Sequence, residues 1–232
     1  MSATRRTFVQ HALAAALAAR AAQSTAQQAQ TPQSAPPPPP APKPWFTGGD
    51  LIAKMSWLNP PADVTYGGGI ITAKSRPKTD FWRKTFFGYV TDNGHFFYLP
   101  VFGEFRFQAR VNGQYAALYD QAGLMVRLDE KQWMKCGSEL VDTKRCASVV
   151  FTHDFSDWST MDDLSQTDAV YWRVERKKDS LEAQISRDGK SFSTIRQGYF
   201  PPFVEVQVGV MCAAPEGPGF EATFDDLRLE KP

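Results

Sequence analysis

Between positions 133 and 139, Trp133-Met-Lys135-Cys-Gly137-Ser-Glu139 places an aromatic ring, a cation, a gap and a carboxylate at every second residue. In a strand these four share one face, because successive side chains alternate sides. Lys135 and Glu139 then stand about 13 Å apart along the strand, too far for a direct ion pair, with Gly137 leaving a depression between them. Such a face suits a polyhydroxylated ligand. The indole stacks on the C–H face of a sugar and the ions take its hydroxyls. Just upstream, Tyr119-Asp120-Gln121 adds donors and acceptors. The candidate ligand-binding residues are therefore Tyr119, Asp120, Gln121, Trp133, Lys135 and Glu139.

Other chemistries find little material. Downstream of the N-terminal region the histidines are His95 and His153, without HxH, HExxH or CxxC spacing, so neither a metal site nor a cofactor is expected. Asp92-Asn93-Gly94-His95 reads as a tight turn, since its spacing lacks a full calcium ligand set. No G-x-S-x-G elbow occurs. Gly189-Lys190-Ser191 imitates the end of a phosphate loop, but Gln184 stands where glycine is required. Gly217-Pro-Gly219-Phe-Glu-Ala222 imitates a dinucleotide fingerprint but precedes a strand instead of a helix.

Glycoside hydrolysis needs two carboxyl groups about 5–10 Å apart. The E-x-D-x-E run by which sandwich glucanases set theirs on one strand is missing, and Asp162-Asp163 and Asp225-Asp226 are adjacent pairs that a regular strand sends to opposite faces. No catalytic residue is assigned, and the reading favours binding without catalysis. The alternatives are a glycosidase using Glu139 with Asp120 and a protein-binding regulator or scaffold. Trp82 and Trp158 read as core or lid residues at strand ends or in loops.

The elements that must position these residues are strands. In Glu104-Phe-Arg-Phe-Gln-Ala-Arg-Val111, Phe105, Phe107, Ala109 and Val111 take one face and polar residues the other. Val170–Glu175, Leu181–Ser186, the alternate valines from Val204 to Val210 and the segment Phe220–Leu229 behave alike. Asp188-Gly189 carries type I′ hairpin chemistry. A weak helical stretch is read around Thr160 to Thr167. Short strands at this density, broken by Gly, Pro, Asn and Asp, predict an all-β, two-sheet antiparallel β-sandwich.

The N-terminus reads differently. Thr4-Arg5-Arg6-Thr7-Phe8-Val9-Gln10, an Ala/Leu run from Ala12 to Ala19 and small-x-small sites after it look like a twin-arginine signal over residues 1–29. A Pro/Gln-rich linker follows over residues 30–44, then a sandwich domain over 45–232. The expected location is periplasmic or secreted. After the leader no apolar run is long enough for a membrane span. Without Arg5, Arg6 and Arg20, the 26 basic residues of the whole chain fall to 23 against 25 acidic, giving no footprint for nucleic acid. The basic run Arg173-Val-Glu-Arg-Lys-Lys178 reads as the solvated end of a strand. A monomer is expected, with an oligosaccharide as partner. Cys136 and Cys146 fall in one hairpin turning near Asp142-Thr143, where neither a two- nor a three-residue loop allows a disulfide, so buried thiols are expected.

The series Asp80-Phe-Trp82, Asn93-Gly-His95, Tyr119-Asp-Gln-Ala-Gly-Leu124, Trp133-x-Lys135-x-Gly137-x-Glu139, Ser156-Asp-Trp-Ser159 and Val208-Gly209 resembles the uncharacterised family named after a regulation-of-enolase protein, over roughly residues 50–230. That family is similar to the concanavalin A-like lectin and glucanase jelly rolls. The resemblance implies a sandwich with a concave face, supplies no established reaction, and marks Asp120, Gln121, Lys135 and Glu139 as the positions where its motifs fall.

Overall fold

The structure, a computed structural model, describes residues 44–164 and 169–232. The segments read as a twin-arginine signal and as a linker lie outside the described residues up to residue 43, as do positions 165–167 of the stretch read as helical. The elements are β1 (Pro44–Thr47), α1 (Gly48–Ile52), β2 (Ser56–Leu58), β3 (Asp63–Gly67), β4 (Ile70–Lys74), β5 (Phe81–Arg83), β6 (Val90–Asp92), β7 (His95–Val101) and β8 (Phe105–Gly113). They continue with β9 (Gln121–Arg127), β10 (Gln132–Val141), β11 (Lys144–His153), β12 (Phe155–Asp163), β13 (Ala169–Lys177), β14 (Ser180–Ser186), β15 (Ser193–Tyr199), β16 (Val206–Ala213) and β17 (Glu221–Glu230).

Two antiparallel sheets form a sandwich of the jelly-roll kind. One runs β15-β14-β13-β8-β17-β4-β3, with β1 also paired to β17; the other runs β12-β11-β10-β9-β16-β7-β2. The period-two pattern explains the core between them. Phe105, Phe107, Ala109 and Val111 of β8 and Val170, Trp172 and Val174 of β13 pack against Leu124, Val126, Met134, Cys136, Val149, Val208 and Val210 of the facing sheet. Burying each such large side chain stabilises the fold by about 1.5–3 kcal/mol. Strand neighbours distant in sequence, such as β8 beside both β13 and β17, tie remote segments into one core.

A third, two-stranded sheet of β5 and β6 lies apart from the pair. Its Phe81 and Trp82 join Trp133, Met125, Val150 and Met211 in a second apolar cluster. The odd-numbered residues of β10 therefore face this ribbon, away from the main core.

Several local expectations need correction. Residues Thr160 to Asp163 continue β12, because they pair with β11, and the short helix of the domain is α1 instead. Asp188-Gly189 is no type I′ turn. Such a turn needs positive φ at both central residues, yet of the two only Gly189 has it, at 70°. The Asp188 carboxylate instead accepts from the Lys190 and Ser191 N–H groups, both at 2.8 Å. Asp225 and Asp226 do not take opposite faces either. A bulge between Asp225 and Arg228 lets Asp225 pair with Arg110 at 2.7 Å and Asp226 with Arg228 at 2.8 Å.

The basic run of β13 is not simply solvated. Arg176 is buried, and its guanidinium donates to the carbonyls of Val204 at 2.9 Å and Pro201 at 2.7 Å, clasping a neighbouring loop. The β10–β11 hairpin turns at Asp142-Thr143, with Cys146 opposite Glu139 and Cys136 opposite Val149. Two-residue closure puts the two sulfurs on opposite faces, and no disulfide joins Cys136, Cys146 or Cys212. Cys136 and Cys212 are buried, whereas Cys146 is half-buried.

Candidate functional site

The site lies on the face of the seven-stranded sheet that looks away from the main core. Antiparallel register sets its rows. Glu139 stands opposite Gln121 on β9 and Cys146 on β11, and Lys135 opposite Met125 and Val150. Val150 in turn faces Trp158 of β12. The Trp158 indole N–H reaches back to Glu139 Oε2 at 3.1 Å and Ser148 Oγ at 2.9 Å.

The β5–β6 ribbon covers part of this face and is fastened at many points. Lys135 Nζ donates to the Phe81 carbonyl at 2.7 Å and to Asp80 Oδ1 at 3.1 Å. Arg127 grips Asp92 through two bonds of 2.7 and 2.9 Å. Ser156 Oγ accepts from the Arg83 N–H, while Arg83 and Lys84 both pair with Asp154, at 2.8 and 2.6 Å. Asn93 Oδ1 accepts from the Asp80 N–H at 2.9 Å, which sets the carboxylate at the ribbon's entrance. His95 is a satisfied structural residue. Its Nε2 accepts from the Arg76 N–H, so Nδ1 carries the proton given to the Asn59 carbonyl, and burial holds its pKa low.

Between ribbon and sheet lies a hollow with polar walls of Asp80, Gln121, Lys135 and Glu139 and a collar of Trp82, Phe87, Tyr89, Tyr119 and Trp158. Its cavity volume is about 20 Å³, room for one or two groups the size of a water molecule. A smaller hollow of about 10 Å³ opens over Gly137. Outside the collar, Trp82, Phe87, Tyr119 and Trp158 continue into a shelf of about 610 Å³ with Phe86, Phe155 and Asp157. The rings meet largely edge to face: Trp82–Phe87 at 5.6 Å, Phe87–Tyr119 at 6.4 Å and Tyr119–Trp158 at 6.3 Å between centroids. They form walls instead of one flat platform.

The electrostatics follow from burial. Loss of solvent pushes the Glu139 carboxyl above its usual range; Lys135 and the hydrogen bond from Ser148 pull it back, and the charge of Asp80 pushes it up further. Burial, then Asp80 and Glu216, raise the Tyr89 hydroxyl to about 12. Tyr119 is raised by burial and by Glu139, Asp142 and Glu216. Among the described residues no group of three or more His, Cys, Asp or Glu side chains comes together to hold a metal. No described helix is long and apolar enough to cross a membrane.

The family described as "Protein of unknown function (DUF1349)" matches residues 57–232. The chain belongs to this family. "Regulation of enolase protein 1" of Saccharomyces cerevisiae is 39% identical over 181 residues, covering 78% of this chain and 91% of the yeast protein. A crystal structure of a functionally unknown protein from Saccharomyces cerevisiae is similar with a TM-score of 0.75 at 39% identity, over 78% of this chain and 98% of that one. More distantly, "Bacteroides ovatus Xyloglucan PUL GH43B" is similar with a TM-score of 0.62 at 18% identity, over 77% of this chain and 37% of that one. That likeness shows the fold alone.

In this DUF1349 member the structure gathers four of the six sequence candidates. Tyr119, Gln121, Lys135 and Glu139 line the hollow. Tyr119 does so in a left-handed conformation, φ 66°, uncommon for a bulky side chain and frequent at functional sites. Trp133 is not a stacking platform. It is 1% exposed, packs its ring on Phe81 at 6.3 Å and donates to the Glu130 carbonyl. Asp120 also lies outside the hollow. Being next to Gln121, its side chain turns the other way, and its Oδ2 accepts the N–H groups of Ala116 and Ala117, both at 2.9 Å. The pairing of Glu139 with Asp120 for hydrolysis is therefore not formed.

Sequence reasoning missed Asp80, Phe87 and Tyr89 and assigned Trp82 and Trp158 to core or lid. The available signal was aromatic density: Phe81, Trp82, Phe86, Phe87 and Tyr89 crowd into nine positions around a turn, more than a solvated hairpin needs. Gly137 has a second reason to be glycine. It stands opposite Gly123, and a Cβ there would come within 2.7 Å of the Gly123 Cα.

Proposed function

We propose that this chain is an exported, non-catalytic saccharide-binding sandwich. Its ligand lies on the aromatic shelf and sends one substituent into the hollow. The observation that carries the reading is the juxtaposition of a buried, charged floor with a collar of aromatic walls. Sugar C–H faces stack on Trp158 and Tyr119, and polar substituents meet the hydrogen-bonding groups behind them. Occurrence of a similar sandwich in the Bacteroides ovatus protein named for a xyloglucan PUL agrees with a saccharide-facing role. The twin-arginine leader agrees with work outside the cytoplasm.

The non-catalytic part of the reading is supported by the room available. The carboxylates lining the hollow, Asp80 and Glu139, flank a space of about 20 Å³, which admits a head group but no glycosidic linkage with a water behind it. Calorimetry of the full-length protein against xyloglucan, cello- and amino-oligosaccharides tests the reading. Saturable binding lost in Trp158→Ala supports it, and no heat at millimolar ligand ends it.

A further inference from the structure

All the hydrogen bonds that Asp80 accepts on its side chain fall on one oxygen. Oδ1 takes the Phe81 N–H at 2.7 Å, Lys135 Nζ at 3.1 Å and Gln121 Nε2 at 3.3 Å. Among the described residues Oδ2 has no donor. Glu139 is 7% exposed and forms no ion pair among the described residues. The cation nearest to hand, Lys135, is spent on Asp80 and the Phe81 carbonyl. The donors to Glu139 are neutral, the Trp158 indole at the mouth and the Ser148 hydroxyl. The hollow thus has acceptor oxygens in excess and two acids to one base. Outward the acids are paired: Asp157, at the border of the shelf, meets Arg196 at 2.9 Å, Glu216 meets Lys78 at 3.4 Å, and Lys84 is bound to Asp154, so the excess of acid is confined to the hollow.

Around this sits an incomplete box of rings. Trp82 and Phe87 meet at 74°, as do Phe87 and Tyr119, and Tyr119 and Trp158 meet at 83°. Rings that meet near a right angle wall the mouth on more than one side, and aromatic walls of this kind attract an organic cation through their quadrupoles. A carboxylate behind such walls completes a charge-assisted site.

We infer that the hollow receives the ammonium group of a cationic ligand, an amino sugar whose ring rests on the shelf. The inference rests on the saccharide reading and narrows its ligand class. Three N–H donors meet the spare oxygens of Asp80 and Glu139, where one hydroxyl donor leaves an acceptor unmatched. The size of the hollow fits a head group of this kind and excludes a ring.

The test is calorimetry on the full-length protein at pH 6.5 with glucosamine oligomers, length-matched cello-oligomers, N-acetylglucosamine oligomers and tetramethylammonium. The expected result is glucosamine oligomers binding roughly tenfold or more tightly than either neutral series, with Glu139→Gln removing that margin. The comparison on the unmodified protein stands even if the variant folds poorly. Equal affinity for amino and neutral oligomers overturns the inference and leaves the saccharide reading intact. Tetramethylammonium binding with no response to any oligomer keeps the cation site and removes the saccharide reading. No binding by any of the four overturns both.

Discussion

Lys135 Nζ and Asp80 Oδ1 lie 3.1 Å apart although 55 positions separate them in the chain, and this contact is the inner clasp between the β5–β6 ribbon and the sheet beneath it. Both side chains are largely buried. Without Lys135 the Asp80 carboxylate would be left desolvated under the ribbon, and without Asp80 the ammonium would be. Lys135→Met should therefore destabilise the domain by about 3–5 kcal/mol, the cost of leaving one partner of a buried pair. Adding Asp80→Asn should restore part of that loss. Urea unfolding of the two single variants and the double variant checks the coupling, and additive effects would show that the two side chains act separately.

Glu139 carries the pH dependence. Its folded-state pKa lies above the unfolded value near 4.5, chiefly through burial. A group of this sign contributes its stability fully below the unfolded pKa and loses it as pH rises through the folded one. The groups facing it are Lys135, Asp80, Tyr119 and Cys146. Glu139→Gln has no charge to bury, so its stability relative to wild type should grow as pH climbs above about 4.5 and level off once Glu139 is fully ionised. Denaturant midpoints of both proteins between pH 4 and pH 8, roughly the range of interest, measure the trend. A difference that stays flat or shrinks would contradict it.

The two outward tryptophans near the site should separate cleanly. Trp133 is core, so Trp133→Ala should cost about 3–5 kcal/mol through the cavity it leaves. Trp158 is 36% exposed, so Trp158→Ala should cost clearly less in stability and abolish binding on the shelf. Thermal melts and calorimetry on the pair read the two effects, and the reverse pattern would place the platform at Trp133.

Much of this architecture could be read from residue order alone. The inward sets of β8, β13 and β16 followed from period-two alternation, because a one-residue slip would move every apolar side chain to solvent. The same rule put Lys135 and Glu139 on one face. It could not say that the face was roofed, since β5 and β6 are three residues each and, among the described residues, pair only with one another. Nor could it show that Trp133 fills the roof's underside, which depends on Phe81 arriving from some fifty positions away. Asp120 was misplaced because adjacency to Gln121 suggested proximity where alternation dictates opposition. The Asp225–Asp226 pair escaped alternation through a bulge, for which Asp226 at φ 47° carries no clear mark in sequence.

Gly137→Ala should be destabilising by about 1–3 kcal/mol or more, because the added methyl meets the Ala122 carbonyl and the Gly123 Cα on β9. If Gly137 served only as space for a ligand, the variant would fold as stably as wild type and lose binding alone. Chemical denaturation beside calorimetry distinguishes the two.

The most direct test of the central claim is an indole fluorescence titration with saccharide, because Trp158 is both wall of the shelf and hydrogen-bond donor to Glu139. The account predicts a saturable change in wild type that disappears in Trp158→Phe while the fold is retained. No change at millimolar saccharide, or the same change in both proteins, would contradict it.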